Sequence, residues 1–338
     1  MRSGGDINCD IKVLHGYRKF CNKIYQATKY VLGKLDPDFV PPPKATKSGK
    51  ESLAERWILH KFTTAVRDIN KALTDREFSA ATSIAYQYWY NHLCDVYIEN
   101  SKFLISEGTP EEKQSATATL YNALEGGLTL IHPFMPFLTE ELWQRLPRRP
   151  GDENPSIMTA AYPNYDSELD DPASEEAYEL VLSVSKAIRS LMSGYAIKDS
   201  GVLYIQLFDE TAYKTCQEQL QSIRSLSGKG VADISLLKGA DNKPAGCVPS
   251  AVSSAATVFL VVKGRVDIDN EIEKAQKKLE KAAEAVKKQK KILSDEAYKT
   301  KVSKELQEVE QRKLEDAEAE VREMEISMQQ FQALKLEE

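Results

Sequence analysis

Cysteine is scarce and scattered in this chain. Cys9, Cys21, Cys94, Cys216 and Cys247 include no C-x-x-C pair, which argues against a zinc site or a disulfide scaffold and points to reduced, cytoplasmic thiols. The four histidines, His15, His60, His92 and His132, are scattered as well. No metal cluster, acid–base pair or nucleophile–base set emerges, so no catalytic residue, metal or cofactor is expected in this chain. No apolar run approaches ~18 residues, and the opening Met1–Asp6 lacks the apolar core of a signal peptide, so neither a membrane span nor export is expected. An overall excess of positive charge is also missing. The net charge of -6 would argue against a nucleic-acid binder if charge were spread evenly.

It is not spread evenly. Residues 1–35 hold seven basic residues against two acids, residues 271–304 hold eleven lysines against six acids, and residues 305–338 hold four basic residues against eleven acids. A local basic face decides whether phosphates are attracted, more than total charge does. With 28% charged and 42% hydrophobic residues, the composition is globular and leans toward long helices. A length of 338 residues accommodates two or three domains with their own cores.

Leu14, Tyr17, Cys21, Ile24, Thr28, Val31 and Leu35 recur at helical spacing and predict a first helix ending at Asp36-Pro37. The proline- and lysine-rich stretch 36–51 reads as an exposed loop. Three further helices are predicted to open with capping boxes: Ser52 with Glu55, Thr74 with Glu77, and Thr109 with Glu112 behind Pro110. Their stripes comprise Ile58, Phe62, Val66, Ile69 and Leu73, then Phe78, Ala81, Ala85, Trp89, Leu93 and Val96, then Leu120, Leu124, Leu128 and Ile131. Such stripes close a helical bundle over 11–147. In Leu128–Leu146, Pro133 and Pro136 interrupt an apolar helix and force a corner between His132 and Leu138. Thr139 is expected to cap the helix that follows, with Glu140 and Glu141 at its positive end.

Turn-formers and acids dominate a linker over 148–173 that wraps the bundle. A small α+β module is predicted over 174–265, with a helix near 174–193, strands near 202–208, 231–237 and 256–262, and a helix near 212–224. Ser227-Gly-Lys-Gly230 lacks the earlier glycine of a phosphate loop, because Ile223 stands there, and reads as a tight turn. From 266 to 338 two arms carry apolar residues near seven-residue spacing. Ile272, Leu279, Ala282, Val286 and Leu293 lie on the first, and Val302 through Phe331 on the second, with a break at Ser294–Thr300. The class is therefore mainly α: a helical bundle, a small α+β module and a C-terminal antiparallel coiled-coil hairpin with one basic and one acidic arm. Pairing within the hairpin and contact with phosphates both account for that asymmetry.

The run Leu128–Leu146 resembles the end of the anticodon-binding domain of the class I aminoacyl-tRNA synthetases for valine, isoleucine and leucine. Gly5-Asp-Ile-Asn8 with Gly16–Thr28, and Tyr88–Glu99, are similar to segments of valyl-tRNA synthetases, the latter in their eukaryotic cytosolic form. The two-arm C-terminus also resembles that family, although Asp295 and Tyr298 replace its usual Asn and Phe in the turn. The family's His-Ile-Gly-His and Lys-Met-Ser-Lys-Ser signatures are absent. The chain is thus expected to be the C-terminal portion of a larger enzyme, with residues 1–10 a remnant of the catalytic-domain exit, and not to make aminoacyl-adenylate itself.

The resemblance implies that the bundle grips the anticodon stem and loop of tRNA(Val) and that the hairpin lies against the outer corner of the tRNA. Catalytic and editing domains outside this chain would use ATP with Mg2+. The residues assigned to the anticodon end are Arg18, Lys19, Asn22 and Lys23. Asn22 also reads as a local helix hydrogen-bonder, and Tyr86, Tyr88 and Tyr90 read as either base-stacking or core residues. On the arm, Lys277, Lys278, Lys281, Lys287, Lys288, Lys290, Lys291, Lys299, Lys301 and Lys304 are placed against phosphates. Two alternatives remain at this stage: a free-standing RNA-binding module, or a coiled coil that docks a protein partner.

Overall fold

Ser52 and Glu55 form the capping box that the sequence predicts, each satisfying the other's backbone N–H at the start of α2 (Leu53–Thr74). Around this helix stand α1 (Ile11–Leu32), α3 (Phe78–Gln87), a π-helix (Tyr88–Tyr97), α4 (Ile98–Glu107), α5 (Pro110–Ile131) and α6 (Pro136–Trp143). The computed structural model describes residues 11–239, 246–265 and 268–294, with the isolated positions 314, 321, 325, 328 and 335. These residues divide into two units, one of Met1–Ser185 with Lys214–Gly228 and the other of Lys186–Tyr213 with Lys229–Glu338.

In the first unit, α1 buries Phe20, Ile24, Ala27, Thr28 and Val31. Leu14 and Tyr17, assigned to the same stripe, remain more than half exposed, so the first turns of α1 stand clear of the core. The helix ends at Leu32, before the expected Asp36-Pro37 stop, where the Lys34 N–H tightens onto the Val31 carbonyl at 2.8 Å, three residues back instead of four. The carboxylate of Glu55 does more than cap. It is almost fully buried and accepts from the Ser115 hydroxyl at 2.6 Å, tying the start of α2 to α5.

The second expected capping box does not form. Thr74 stays in α2 and its hydroxyl donates to the Asn70 carbonyl at 2.8 Å. Arg76 adopts φ 60°, while its N–H reaches Leu73 and that of Glu77 reaches Ala72. This left-handed closure satisfies the end of α2 from the backbone, so Thr74 is not released to cap α3. The third box, Thr109 with Glu112 and Pro110 in the first turn, forms as predicted.

Residues 78–107 are one continuous helical rod whose middle ten residues widen to π geometry. Tyr88, Trp89, Leu93 and Tyr97 are all fully buried. The Tyr88 hydroxyl donates to the Ala123 carbonyl at 2.8 Å, the Trp89 indole N–H to Gly127 at 2.9 Å, and the Tyr97 hydroxyl to Ala116 at 3.3 Å. Wider turns bring these large side chains onto one face of α5, a stretch of helix that a 3.6-residue period cannot describe. Tyr97 therefore takes the buried place that α periodicity assigns to Val96, which is half-buried. On α5, adjacent glycines admit the rings: a Cβ at Gly126 would stand 2.5 Å from the Phe62 ring, and one at Gly127 3.1 Å from that of Tyr88.

The corner turns as Pro133 and Pro136 require, but Thr139 does not cap α6. Met135 holds the N-cap position without a side-chain bond and Pro136 starts the helix. Thr139 lies inside it, donating to the Met135 carbonyl at 2.9 Å, with its oxygen 2.6 Å from His132 Nδ1. Proline supplies the N-terminal stop one turn earlier than threonine would. The stretch after α6 is held by polar side chains: Tyr162 donates to Leu130 O at 2.8 Å, Asn70 to Pro163 O at 3.0 Å, and Thr63 bonds both backbone groups of Asp166. Loop 36–51 is less free than its composition suggests. Pro41 is buried, Lys44 pairs with Asp166 at 2.9 Å, and Arg149 donates to Pro42 O at 2.6 Å.

His92 sits in this unit with its ring edge-on to Trp57, 5.5 Å between centroids. Burial, with the Lys61 ammonium adding to it, lowers its imidazole from 6.5 to about 4. The unfolded chain therefore binds a proton that the folded protein refuses between those two values, and stability falls as pH drops through that window. Urea denaturation at pH 6.5 and 4.5 is expected to show a loss to which His92 contributes about 2 kcal/mol. His92→Gln should flatten that part of the profile; an unchanged profile rules the assignment out.

The second unit contains a four-stranded mixed sheet in the order β2-β1-β4-β3. Strand β1 (Gly201–Leu207) runs parallel to β2 (Val231–Lys238) and antiparallel to β4 (Ala256–Val261), placing Leu203 opposite Ile234 and Leu260. Strand β3 (Cys247–Ser253) has no counterpart in the sequence reading, since its small residues and Pro249 carry no strand pattern. As an edge strand it tolerates the proline. Along the chain α7 (Pro172–Gly194) precedes β1, and the single helix expected between β1 and β2 is two, α8 (Glu210–Glu218) and α9 (Leu220–Ser227), of which Lys214–Gly228 count with the first unit, as does α7 up to Ser185. Gly228 takes φ 95° in the turn that follows α9. α10 (Ile268–Ser294) is the first arm, with Ile272, Leu279 and Val286 half-buried. Leu314, Val321 and Met328 are helical and half-buried at the same seven-residue spacing, and Glu325 and Lys335 are helical and exposed; the turn at 295–300 and the other residues of the second arm lie outside the described residues. The described fold is mainly helical with one small α+β module.

Candidate nucleic-acid interface

The clear-standing first half of α1 presents Arg18, Lys19 and Asn22 to solvent. Lys23 differs from them. Its ammonium lies 2.6 Å from Asp95 Oδ1 and 3.1 Å from the centre of the Tyr90 ring. Burial alone would lower its pKa, but the hydrogen bond and charge of Asp95 outweigh this and the net shift is upward. Lys23 is thus a fixed, permanently charged strut between α1 and the π-helix, already neutralised in part.

The three tyrosines separate. Tyr88 is core, whereas Tyr86 is 41% exposed and stacks on Tyr90 with centroids 5.2 Å apart and planes at 13°. Phe20 packs against this pair, its ring centroid 4.7 Å from that of Tyr86 and tilted by 45°. Beside these rings runs a groove of about 740 Å³ between α1, α3, the start of the π-helix and the proline corner. Tyr17, Phe20 and Tyr86 form one wall, Phe134 and Met135 another, and Ser83, Gln87 and Asn91 supply hydrogen-bonding groups. Those last three recur every four residues, a polar stripe beside the Tyr86–Tyr90 stripe that was present in the sequence and was not assigned there. Unstacked bases are held by such aromatic faces and read by side-chain amides and hydroxyls.

On α10, Lys277, Lys281, Lys287, Lys288, Lys290 and Lys291 are exposed, and Lys277 pairs with Glu273 one turn away. Lys278 lies on the same helix, while Lys299, Lys301 and Lys304 fall outside the described residues.

Burial pushes the thiol of Cys94 up to about 12 and that of Cys216 to about 11, so both stay protonated. Among the described residues no group of three His, Cys, Asp or Glu side chains gathers to hold a metal ion, and no helix is long and apolar enough to cross a membrane.

Residues 55–207 match the family model described as the anticodon-binding domain of tRNA ligase. The mitochondrial valine–tRNA ligase of Saccharomyces cerevisiae is 46% identical over 333 residues, 98% of this chain and 30% of that protein. The valine–tRNA ligase of Schizosaccharomyces pombe is 43% identical over 257 residues, 76% of this chain and 26% of that protein. That of Homo sapiens is 36% identical over 336 residues, 99% of this chain and 26% of that protein. The chain spans about a quarter to a third of the length of these relatives.

Proposed function

We propose that this chain, which carries the anticodon-binding domain of a tRNA ligase over residues 55–207, is the tRNA-holding C-terminal region of a valyl-tRNA synthetase of cytosolic type, working in the cytoplasm. The observation that carries the proposal is the groove beside α1. Its lining from Thr82 to Met135 lies inside the matched residues and joins aromatic faces to hydrogen-bonding side chains. Similarity to valine–tRNA ligases along nearly the whole chain favours tRNA(Val) as the RNA; the cytosolic type rests on the resemblance of Tyr88–Glu99 alone, since the Saccharomyces cerevisiae relative is a mitochondrial enzyme.

In this reading residues 1–10 leave the catalytic region and 11–147 receive the anticodon stem and loop. Residues 148–173 connect to the module at 174–265, and the arm that α10 begins lies against the outer corner of the tRNA. Bases of the loop enter the groove and stack on Tyr86, with Gln87 and Asn91 at their edges. Arg18 and Lys19 meet phosphates at the rim. Lys23 contributes mainly by holding Tyr90, and through it Tyr86, in place. The residues present do not fit ATP: both nucleotide signatures are missing, so ATP and Mg2+ belong to the catalytic domain of the full enzyme.

Binding of the purified chain to valine, isoleucine and leucine tRNAs at one ionic strength is expected to favour the valine tRNA. Tyr86→Ala should weaken that binding by roughly tenfold, the scale of one lost base stack. Equal affinity for the three tRNAs, or valine-dependent ATP–pyrophosphate exchange by the chain alone, would overturn the proposal.

A further inference from the structure

We propose that the end of the sheet where β1 and β2 begin is a further contact for the RNA backbone, made by Lys198, Lys229 and Arg265; this rests on the reading of RNA as the partner. Helix α7 closes there with the N–H of Ala196 on Ser193 and that of Ile197 on Met192. Ala196 and Ser200 then take φ of 54° and 53°, left-handed values that side chains other than glycine adopt at a cost. Such conformations persist where the surroundings hold them, and they gather at functional sites.

The surroundings here are tight. The Gly201 N–H donates to the Gly230 carbonyl at 2.8 Å, and a Cβ on Gly230 would come within 2.5 Å of the Lys198 carbonyl. A Cβ on Gly201 would meet the Met192 sulfur at 2.4 Å. The Arg265 guanidinium donates to the Ser200 carbonyl from the opposite strand end. Two glycines thus let loop 195–200 and the turn before β2 touch through their backbones, and Arg265 fastens the loop from the third side.

This fixed platform displays three cations. Lys198, Lys229 and Arg265 are exposed, and among the described residues no carboxylate is paired with any of them; Asp199 is the one acid in the loop. Having one N–H committed to Ser200, the guanidinium keeps further donors in the planar fork that suits a phosphate. The loop exposes Ala196, Lys198, Asp199 and Ser200 and no large apolar side chain, so it lacks the anchors a protein partner would bury. Three residues after Arg265 begins α10, whose lysines without neighbouring acids lie in its later half, at 287–291.

The test uses the full chain and the valine tRNA, with affinity followed between about 0.05 and 0.2 M salt. Lys198→Ala with Lys229→Ala is expected to weaken binding roughly tenfold and to make the slope of log affinity against log salt shallower by about 1.5, the share of two phosphates. Adding Arg265→Ala should extend both effects. Because the two lysines are exposed, the double variant should keep its circular dichroism spectrum and carries the test if the triple variant misfolds. Binding within twofold of the original, at an unchanged slope, overturns this contact and leaves the assigned function standing. No tRNA binding by the unaltered chain overturns both.

Discussion

Replacing Lys287, Lys288, Lys290 and Lys291 by Glu is expected to lower affinity for the valine tRNA by roughly a hundredfold or more at about 0.1 M salt. The reason lies in how charge is distributed along α10. From Ile268 to Glu284 the helix has four lysines against five acids, and pairs such as Lys277 with Glu273 settle locally. From Ala285 to Ser294 it has four lysines and no acid. The positive field is therefore concentrated in the half of the helix farther along the chain. With a rise of about 1.5 Å per residue, the helix carries that field roughly 40 Å from its first residue. Substitution by Ala instead of Glu separates lost attraction from added repulsion and should make the salt slope shallower by about 3, near the release of counterions from four phosphates. If the quadruple Ala variant kept both affinity and slope, the arm would have no part in holding RNA, and docking of a protein partner would become the better account of its charge.

The second large effect concerns the bundle itself. Trp89→Ala is expected to cost about 4 kcal/mol of stability. Trp89 is fully buried, its indole N–H is bonded to Gly127 at 2.9 Å, and its ring lies 3.2 Å from where a Cβ on Gly127 would be. A wide π-helix facing a helical backbone cannot collapse into such a vacancy without breaking its own hydrogen bonds, so the cavity remains. Tyr97→Phe serves as the comparison. It removes only a 3.3 Å hydrogen bond and should cost about 1 kcal/mol or less. Urea denaturation followed by far-ultraviolet circular dichroism reads both. A Trp89→Ala loss no larger than that of Tyr97→Phe would mean that the face against α5 is not the keystone of the bundle.

Where each residue's local preference agreed with its surroundings, the sequence was a sufficient guide. The boxes at Ser52 and Thr109, the proline corner, the stripes of α2 and α5 and three of the four strands follow from spacing and turn chemistry alone. The departures share a cause, which is that tertiary contacts or neighbouring backbone overrode a local signal. Thr74 remained helical because Arg76 accepted a left-handed turn, and Thr139 was drawn into α6 because Pro136 had already begun it. The π-helix was illegible because its widening is set by the carbonyls of α5, far away in sequence. Strand β3 was missed because its pairing with β4, and not its composition, makes it a strand. At the candidate interface the cations of α1 were visible as charge. The groove was not, since Ser83, Gln87 and Asn91 acquire meaning only when α1 and the corner stand across from them.

The widened rod at 88–97 also bears on how this segment tolerates gain or loss of residues over evolutionary time. A π turn closes its hydrogen bond one residue later than an α turn, so a chain shorter by a single position there would tighten one turn of the segment toward α winding while the helices on either side, with Ala81 and Ala85 on one and Ile98 on the other, continue unbroken. A gap that falls between Tyr88 and Tyr97 when homologues are aligned should therefore be read as a change in the winding of an unbroken rod, with the aromatic contacts to α5 being what the extra residue secures.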